Sequence, residues 1–374
     1  MPTCNLAECE NELPLGRKKF CSEKHSRRNR GRSGIQETPQ EKEKDELRAA
    51  LRRSQTSLAK AKAKSEELVA AVYQAAKDAA TLLGPVPVVV APKLAIVRTN
   101  KPEVALLHAT DWQYGKLTET YSMEKCAERI EMLADKVGWI TSVQRTDHTV
   151  PDIHIMFGGD MVEGLNIFPG QAWEVDGTLY EQMFGCARVM QNLIRRLLLQ
   201  FQKVEVWAEE GNHGRLGRKG DWPRTDNTDM MVYEIVRQAF ATEKRVVWHP
   251  RKTWYQLVEI QNYRAMLIHG DEIKSFGGNT PAFGLLRKGT AWSSGVTEPF
   301  RDIYFGHYHT SMSLTLPNGG TMFGTSSTES DNTYAAEFVA AKGQPSQRLH
   351  FIDYRKGRVT AEYRVYLDDE EITH

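Results

Sequence analysis

A chain of 374 residues with 49 Lys and Arg against 48 Asp and Glu is long enough for a full catalytic domain plus an attachment, because single cores commonly stop growing at about 250–300 residues. The net charge of +1 hides an asymmetry: residues 1–83 hold 17 Lys and Arg against 12 Asp and Glu, and the remainder 32 against 36. No segment keeps about 18 uncharged apolar residues together, and Met1 is followed by polar residues and cysteines, so a membrane span and a secretory leader are both unsupported and a cytoplasmic protein is expected.

The first element, residues 1–35, contains "CNLAECENELPLGRKKFCSEKH", with Cys4, Cys9, Cys21 and His25 separated by four, eleven and three residues. Three thiolates and an imidazole at this spacing suit one tetrahedral structural zinc. Arg17, Lys18, Lys19, Lys24, Arg27 and Arg28 surround the cysteines with positive charge, which points to contact with DNA or RNA. The competing reading is a disordered basic leader with chance cysteines. Residues 36–84 are rich in Ala, Lys, Glu and Leu, with neither Gly nor Pro from 41 to 83, and read as a helical spacer or weak coiled coil. Leu47, Leu51, Leu58, Leu68, Val72 and Leu82 fit a seven-residue repeat, but Ser54, Ala61, Ser65, Ala75 and Ala79 weaken the seam, so association through it is expected only within an assembly. "GPVPVVVAPK" then opens a Pro-rich linker over 85–102.

From 103 to 374 the pattern becomes short apolar runs alternating with helices near 121–144 and 177–202, and the second half is dominated by strands. This is an α/β signature, with a sheet sandwich flanked by helices as the architecture that accommodates both halves. The helical stretches carry Cys126 and Cys186, read as ordinary buried thiols. Five apolar runs end in polar clusters: "HATDWQ", "GGD", "EGNH", "IHGD" and "GHYH". A single His after a strand is usually structural. Five such endings in succession converge on one crevice, because ligands bind outside the carboxyl ends of strands in α/β sheets. Carboxylates, imidazoles and an amide oxygen together suit manganese, magnesium, iron or zinc, and two such ions would serve phosphoester hydrolysis.

These blocks, "HATDWQ" with Asp111, "GGDMVEG", "GNH", "HGD" and "GHYH", resemble in order those of the calcineurin-like metallophosphoesterase superfamily across roughly residues 103–325. "GGDMVEGLNIFPGQ" is similar to the longer second block of the exonuclease subunit of archaeal family D DNA polymerase. The arrangement also resembles double-strand-break repair nucleases, and "GNHGR" resembles bacteriophage proteins, which would place the chain in a host cytoplasm. The resemblance implies a four-layer β-sandwich flanked by helices over residues 103–374. It implies a first metal held by Asp111, Asp160 and His309, a second held by Asp160, Asn212, His269 and His307, and His213 as the catalytic group beside the leaving oxygen. An ATPase or a replication or repair protein is an implied partner.

Two positions depart from that pattern. Gln113 occupies the slot of a first-site imidazole, so it is expected either to ligate weakly through its amide oxygen, favouring manganese or magnesium, or to hold a bound water. Gly214 stands where an acidic residue commonly orients the catalytic imidazole, so Asp221, Asp226 or Asp229 is expected to fold back onto His213. The loop "GRLGRKGDWPR" adds Arg215, Arg218, Lys219 and Arg224 near the metals, as a DNA substrate would favour. Trp112, Phe168, Trp173, Trp222 and Tyr308 are candidates for stacking on unpaired bases. The combined expectation is a DNA exonuclease. A small-molecule phosphoesterase and a catalytically weak DNA-bound scaffold are the alternatives.

Overall fold

The computed structural model describes residues 101–368 apart from 166, 169, 252, 274–281 and 331–342, together with 86–93, residues 4, 5, 9–12, 15 and 20–32, and scattered positions between 49 and 81. The chain divides into two units, Met1–Glu67 and Leu68–His374, a division that falls inside the stretch read as a spacer. In the first unit, helix α1 (Glu23–Arg32) begins two residues after Cys21. The seam positions of the expected coiled coil lie outside the described residues, except Ser54, which is helical and exposed.

The second unit is a mixed α/β sandwich of two sheets flanked by helices. One sheet has the order β11-β10-β1-β2-β3-β4, and the other β5-β6-β7-β9-β8. Strands β1 (Val104–Ala109), β2 (Asp152–Phe157), β3 (Lys203–Ala208) and β4 (Val246–Trp248) run parallel. Strands β10 (Ser346–Asp353) and β11 (Arg358–Tyr366) extend them antiparallel. In the second sheet β5 (Gln256–Ile260), β6 (Tyr263–Leu267), β7 (Asp302–Phe305), β8 (Met312–Thr315) and β9 (Thr321–Gly324) include two parallel pairings, β6 with β7 and β7 with β9.

The alternation of side chains along a strand explains the layering. Ala105, Leu107 and Ala109 face one core, while Val104 and Leu106 face another. The first core is filled from outside by α2 (Met123–Gln144), α3 (Leu179–Leu198) and α4 (Thr228–Ala239), whose buried residues recur at helical spacing, as in Ile130, Leu133, Ala134 and Val137. The second core lies between the sheets, where Leu106, Met156 and Trp207 meet Leu267, Tyr304 and Phe323. Met266, Ile303 and Phe305 point the other way, toward Leu285 on α5 (Ala282–Ala291). Four layers result, and because β1 and β2 are covered on both faces apolar residues fill both sides of each strand, with His108 and His154 as buried exceptions. Cys126 and Cys186 are buried on α2 and α3, as expected.

The helices start where their capping residues dictate. Thr178 and Glu181 form a reciprocal capping box at α3, and the Asn227 side chain accepts from the Asp229 N–H at α4. The Pro-rich stretch differs from a free linker over 86–93. The Val86 N–H donates to the Ala239 carbonyl at 3.0 Å, the Arg245 guanidinium donates to the Val89 carbonyl at 2.5 Å, and both valines pack on the helical core. Apolar side chains on one side of an extended segment are enough to dock it.

Candidate metal centre

The parallel strands point their carboxyl ends to one edge of the sandwich, and every residue read as a ligand of the two-ion site sits there. Asp111 and Gln113 follow β1, Asp160 follows β2, Asn212 and His213 follow β3, His269 follows β6, and His307 and His309 follow β7. Two clusters form. Ligand atoms of Asp111, Asp160 and His309 lie within 4.8 Å of one another, as do those of Asp160, His269 and His307, so Asp160 belongs to both. His309 Nε2 is 3.3 Å from Asp111 Oδ1, and His269 Nε2 is 3.1 Å from both Asp160 Oδ2 and Asn212 Oδ1.

The backbone records the cost of this convergence. Asp111, Gln113, Asp160, His307 and His309 all have φ between 47° and 67°, and among the described residues only Gln261 shares a positive φ without being glycine. Such conformations cost on the order of 1–3 kcal/mol each and persist where surrounding bonds over-determine them. Those bonds are present. The Asp111 N–H donates to the Gly159 carbonyl and the Gln113 N–H to the Asp160 carbonyl, both at 3.0 Å. The His307 N–H donates to Asp111 Oδ1 at 3.0 Å, and Ser327 Oγ donates to the Asp111 carbonyl at 2.7 Å. Gly211 and Gly306 permit the approach, since a Cβ on either would come within 2.0 Å of an Asp160 or Asp111 carboxylate oxygen.

Beneath the centre lies Asp229. Its buried carboxylate accepts from the N–H groups of Asp160, Met161, Val162 and Gly211 at 2.9–3.3 Å, tying the β2 loop to the β3 loop. Burial and the neighbouring Asp160 charge push its pKa up to about 7 despite those donors. Burial would raise the Asp160 carboxyl too, but His269 and His213 hold it well below the usual carboxylate range. On the far side, His309 Nδ1 faces Glu329 at 3.5 Å, and Glu329 pairs with the buried Lys116 at 3.2 Å. His269 Nδ1 lies 2.8 Å from the Gly158 carbonyl, which leaves Nε2 for a metal.

These donors fit two divalent ions. Carboxylates and imidazole nitrogens crowd two small volumes sharing one carboxylate, and Gln113 supplies an orphaned atom: its Oε1 is buried without a hydrogen-bond partner. The amide nitrogen lies 3.4 Å from Asp160 Oδ2 and 3.3 Å from His309 Nε2. The two ends of an amide are exchangeable by a half-turn, so the oxygen reaches the first cluster in the flipped rotamer.

His213 is oriented by a residue that the sequence did not single out. Its Nδ1 lies 2.9 Å from the Glu163 carbonyl and 3.4 Å from Glu163 Oε2, and Gln171 Nε2 donates to the same carbonyl at 2.7 Å and to Glu163 Oε1 at 2.9 Å. Burial alone would lower His213, but Glu163 and Asp160 outweigh it and lift it to about 10. The expected fold-back of Asp221, Asp226 or Asp229 onto the ring does not occur. Asp229 is spent on loop amides, and Asp221 accepts from the Arg218 N–H at 3.1 Å. Glu163 lies inside "GGDMVEG", so the signal was an acid three residues after a ligand; Glu329, after β9, had none.

The basic loop is largely neutralised. Arg215 and Lys219 both pair with Asp271, and Arg224 pairs with Glu210 and Glu272, whereas Arg218 is exposed and forms no ion pair among the described residues. Trp112 and Tyr308 are 0% and 5% exposed and belong to the cores, which removes them as stacking surfaces. In the first unit Cys4, Cys9, Cys21 and His25 do come together, with ligand atoms within 4.8 Å. Cys9 Sγ and Cys21 Sγ are 3.7 Å apart and unbonded, close to the roughly 3.8 Å separating two sulfurs on a tetrahedral zinc. His25 Nδ1 is 3.1 Å from Cys21 Sγ. Lys24 and Arg28 are exposed nearby, while Arg17, Lys18, Lys19 and the Arg27 side chain lie outside the described residues.

Two outcomes follow from this geometry. Asp229→Ala strands four amides and should lower stability by about 3 kcal/mol or more in urea unfolding, with no residue of either metal cluster altered. Elemental analysis of the full chain should find one zinc that is lost in Cys9→Ser and retained in Asp160→Asn.

No family model matches this chain, and no curated protein does. Among solved structures, Vps29 of Cryptosporidium parvum is 12% identical over 71% of this chain and 98% of its own, with a TM-score of 0.32. A phosphatase from Mycoplasma pneumoniae is 10% identical over 71% and 93%, with a TM-score of 0.33. A 5'-nucleotidase from Candida albicans is 10% identical over 70% and 49%, with a TM-score of 0.29. Likeness at this level carries no statement about activity, and the chemistry is read from the residues themselves.

Proposed function

We propose that this chain is a dinuclear metal-dependent phosphodiesterase that hydrolyses DNA, acting as an exonuclease at ends. The observation that carries the hydrolytic reading is Asp160, one buried carboxylate common to two ligand clusters with His213 beside it. Asp111, Gln113, Asp160 and His309 would hold one ion, and Asp160, Asn212, His269 and His307 the other. Bound there, two divalent ions supply charge neutralisation and water activation for phosphoester hydrolysis. The oxygen-rich, partly neutral first cluster favours manganese or magnesium.

The chain's own residues do the rest. The His213 N–H donates to Asp160 Oδ1 at 2.7 Å, which fixes the backbone of the β3 loop against the shared ligand. Glu163 takes the Nδ1 proton of His213 in a hydrogen bond and stabilises the imidazolium, so Nε2 is the nitrogen from which a departing oxygen receives its proton. Burial of Asp111 and Asp160 shields both carboxylates from bulk water and leaves their oxygens to the surrounding donors and imidazoles, where they would serve as ligands.

DNA as substrate is supported by the Cys4, Cys9, Cys21 and His25 module with Lys24 and Arg28 exposed beside it, and by Arg218 on the loop after His213. A small-molecule phosphoesterase is the second reading, favoured by the pairing of Arg215, Lys219 and Arg224 with carboxylates. End-labelled DNA and cyclic nucleotides, each offered with manganese, magnesium or no metal, distinguish the two. Metal-dependent release of nucleotides from DNA is expected, and Asp160→Asn should reduce it by at least about 100-fold. Turnover confined to cyclic nucleotides would transfer the chain to the second reading.

A further inference from the structure

Among its described residues, the loop joining Glu163 to Thr178 contributes no metal ligand, yet it is fastened at several points. The Gln171 side chain accepts from the Ile167 N–H at 2.7 Å and donates to Glu163. The Leu117 N–H donates to the Glu174 carbonyl at 2.9 Å, and the Asp176 N–H to the Gly115 carbonyl at 2.6 Å. The Asp176 carboxylate accepts from the Met123 N–H at 3.0 Å. On this anchored frame stand two exposed aromatic rings. Phe168 is 36% exposed and meets the His213 ring edge-on at 6.3 Å; Trp173 is 91% exposed, at the end of a single helical turn beginning with Gln171.

Phe168 meets the His213 ring, and Trp173 stands two positions after Gln171, whose Nε2 lies 3.3 Å from His213 Nδ1, so exposed rings on an anchored loop that touches this imidazole invite a flat apolar partner. That partner is not a phosphate. No Lys or Arg occurs from Met161 to Ala187, and Glu174 is exposed on the same loop. On the loop after His213, Arg215 and Lys219 are paired with Asp271, and Arg218 is the exposed cation without an ion pair among the described residues. His213 therefore has exposed aromatic rings on one neighbouring loop and an exposed guanidinium on the other, the chemistry of a base and of a phosphate.

Resting on the phosphodiesterase reading, we infer that Phe168 and Trp173 form a stacking rim for an unpaired base adjoining the scissile phosphate, so that the substrate class is a single-stranded nucleic-acid end. Base faces inside a duplex are covered by their neighbours and a blunt end exposes only the outer face of a pair held to its partner, whereas an unpaired base can turn out of the strand and offer a whole face to the rim. Stacking of this kind tolerates any sequence.

The test compares kcat/KM for wild type, Trp173→Ala and Trp173→Phe on three substrates: a labelled single strand, the same strand with abasic sites at its end, and a blunt duplex. Wild type should prefer the intact single strand over both others. Trp173→Ala should lose about 5- to 150-fold on the intact strand and with it the preference over the abasic strand, and Trp173→Phe should keep most of both. An unchanged preference in Trp173→Ala, or equal wild-type cleavage of intact and abasic strands, overturns the rim while leaving the nuclease reading in place. Wild type that cleaves cyclic nucleotides but none of the three DNAs overturns the nuclease reading, and the rim with it.

Discussion

The structure turns on one buried carboxylate, Asp160, and on the need to hold it between two groups of ligands. Left alone, a buried charge of this kind would take up a proton. Here His269 and His213 keep it anionic, and the Asp229 carboxylate grips the amide of the same residue from below. Burial, and then repulsion from the nearby Asp160 carboxylate, push the Asp229 carboxyl up to about 7. Asp229 is thus a brace for the backbone, with its oxygens committed to four amides.

The sandwich exists to deliver strand ends to that point. Parallel β1, β2 and β3 in one sheet and parallel β6 and β7 in the other expose their carboxyl ends along a common edge, so five loops reach the same volume without long excursions. Each loop must turn abruptly to aim its ligand, and the left-handed conformations at Asp111, Gln113, Asp160, His307 and His309 are the result. Their strain is offset by the apolar layers behind them, where the strands are locked from both faces.

Charge pairing reshapes the reading of the surroundings. Arg215, Lys219 and Arg224 look in the sequence like a phosphate-binding run, yet carboxylates from the β3 and β6 loops engage them, so their first role is to join the loop after His213 to the body. The position of the His213 imidazole is likewise secured from elsewhere: Glu163 and Gln171, on the loop after β2, hold it where Gly214 has no side chain to do so. The residue following His213 is free to be glycine because its task has moved 51 positions up the chain.

Residue type and spacing determined by themselves the α/β class, the ends of the strands, the helices near 121–144 and 177–202, and the carboxylates and imidazoles that gather at the strand ends. Those features are local: an apolar run stops where a polar ligand begins, and helical spacing repeats within a few turns. The same holds for Cys4, Cys9, Cys21 and His25, which lie within a stretch of 22 residues. Tertiary structure decided which carboxylate braces the amides, which acid faces His213, that Glu329 and Lys116 stand behind His309, which arginines are already paired, and which aromatic rings face water. Each of these depends on a contact between segments tens to hundreds of residues apart. Side-chain type alone cannot distinguish a Trp sealed at 0% exposure, as at Trp112, from one at 91%, as at Trp173, because packing between layers, and not sequence neighbourhood, sets what each ring meets.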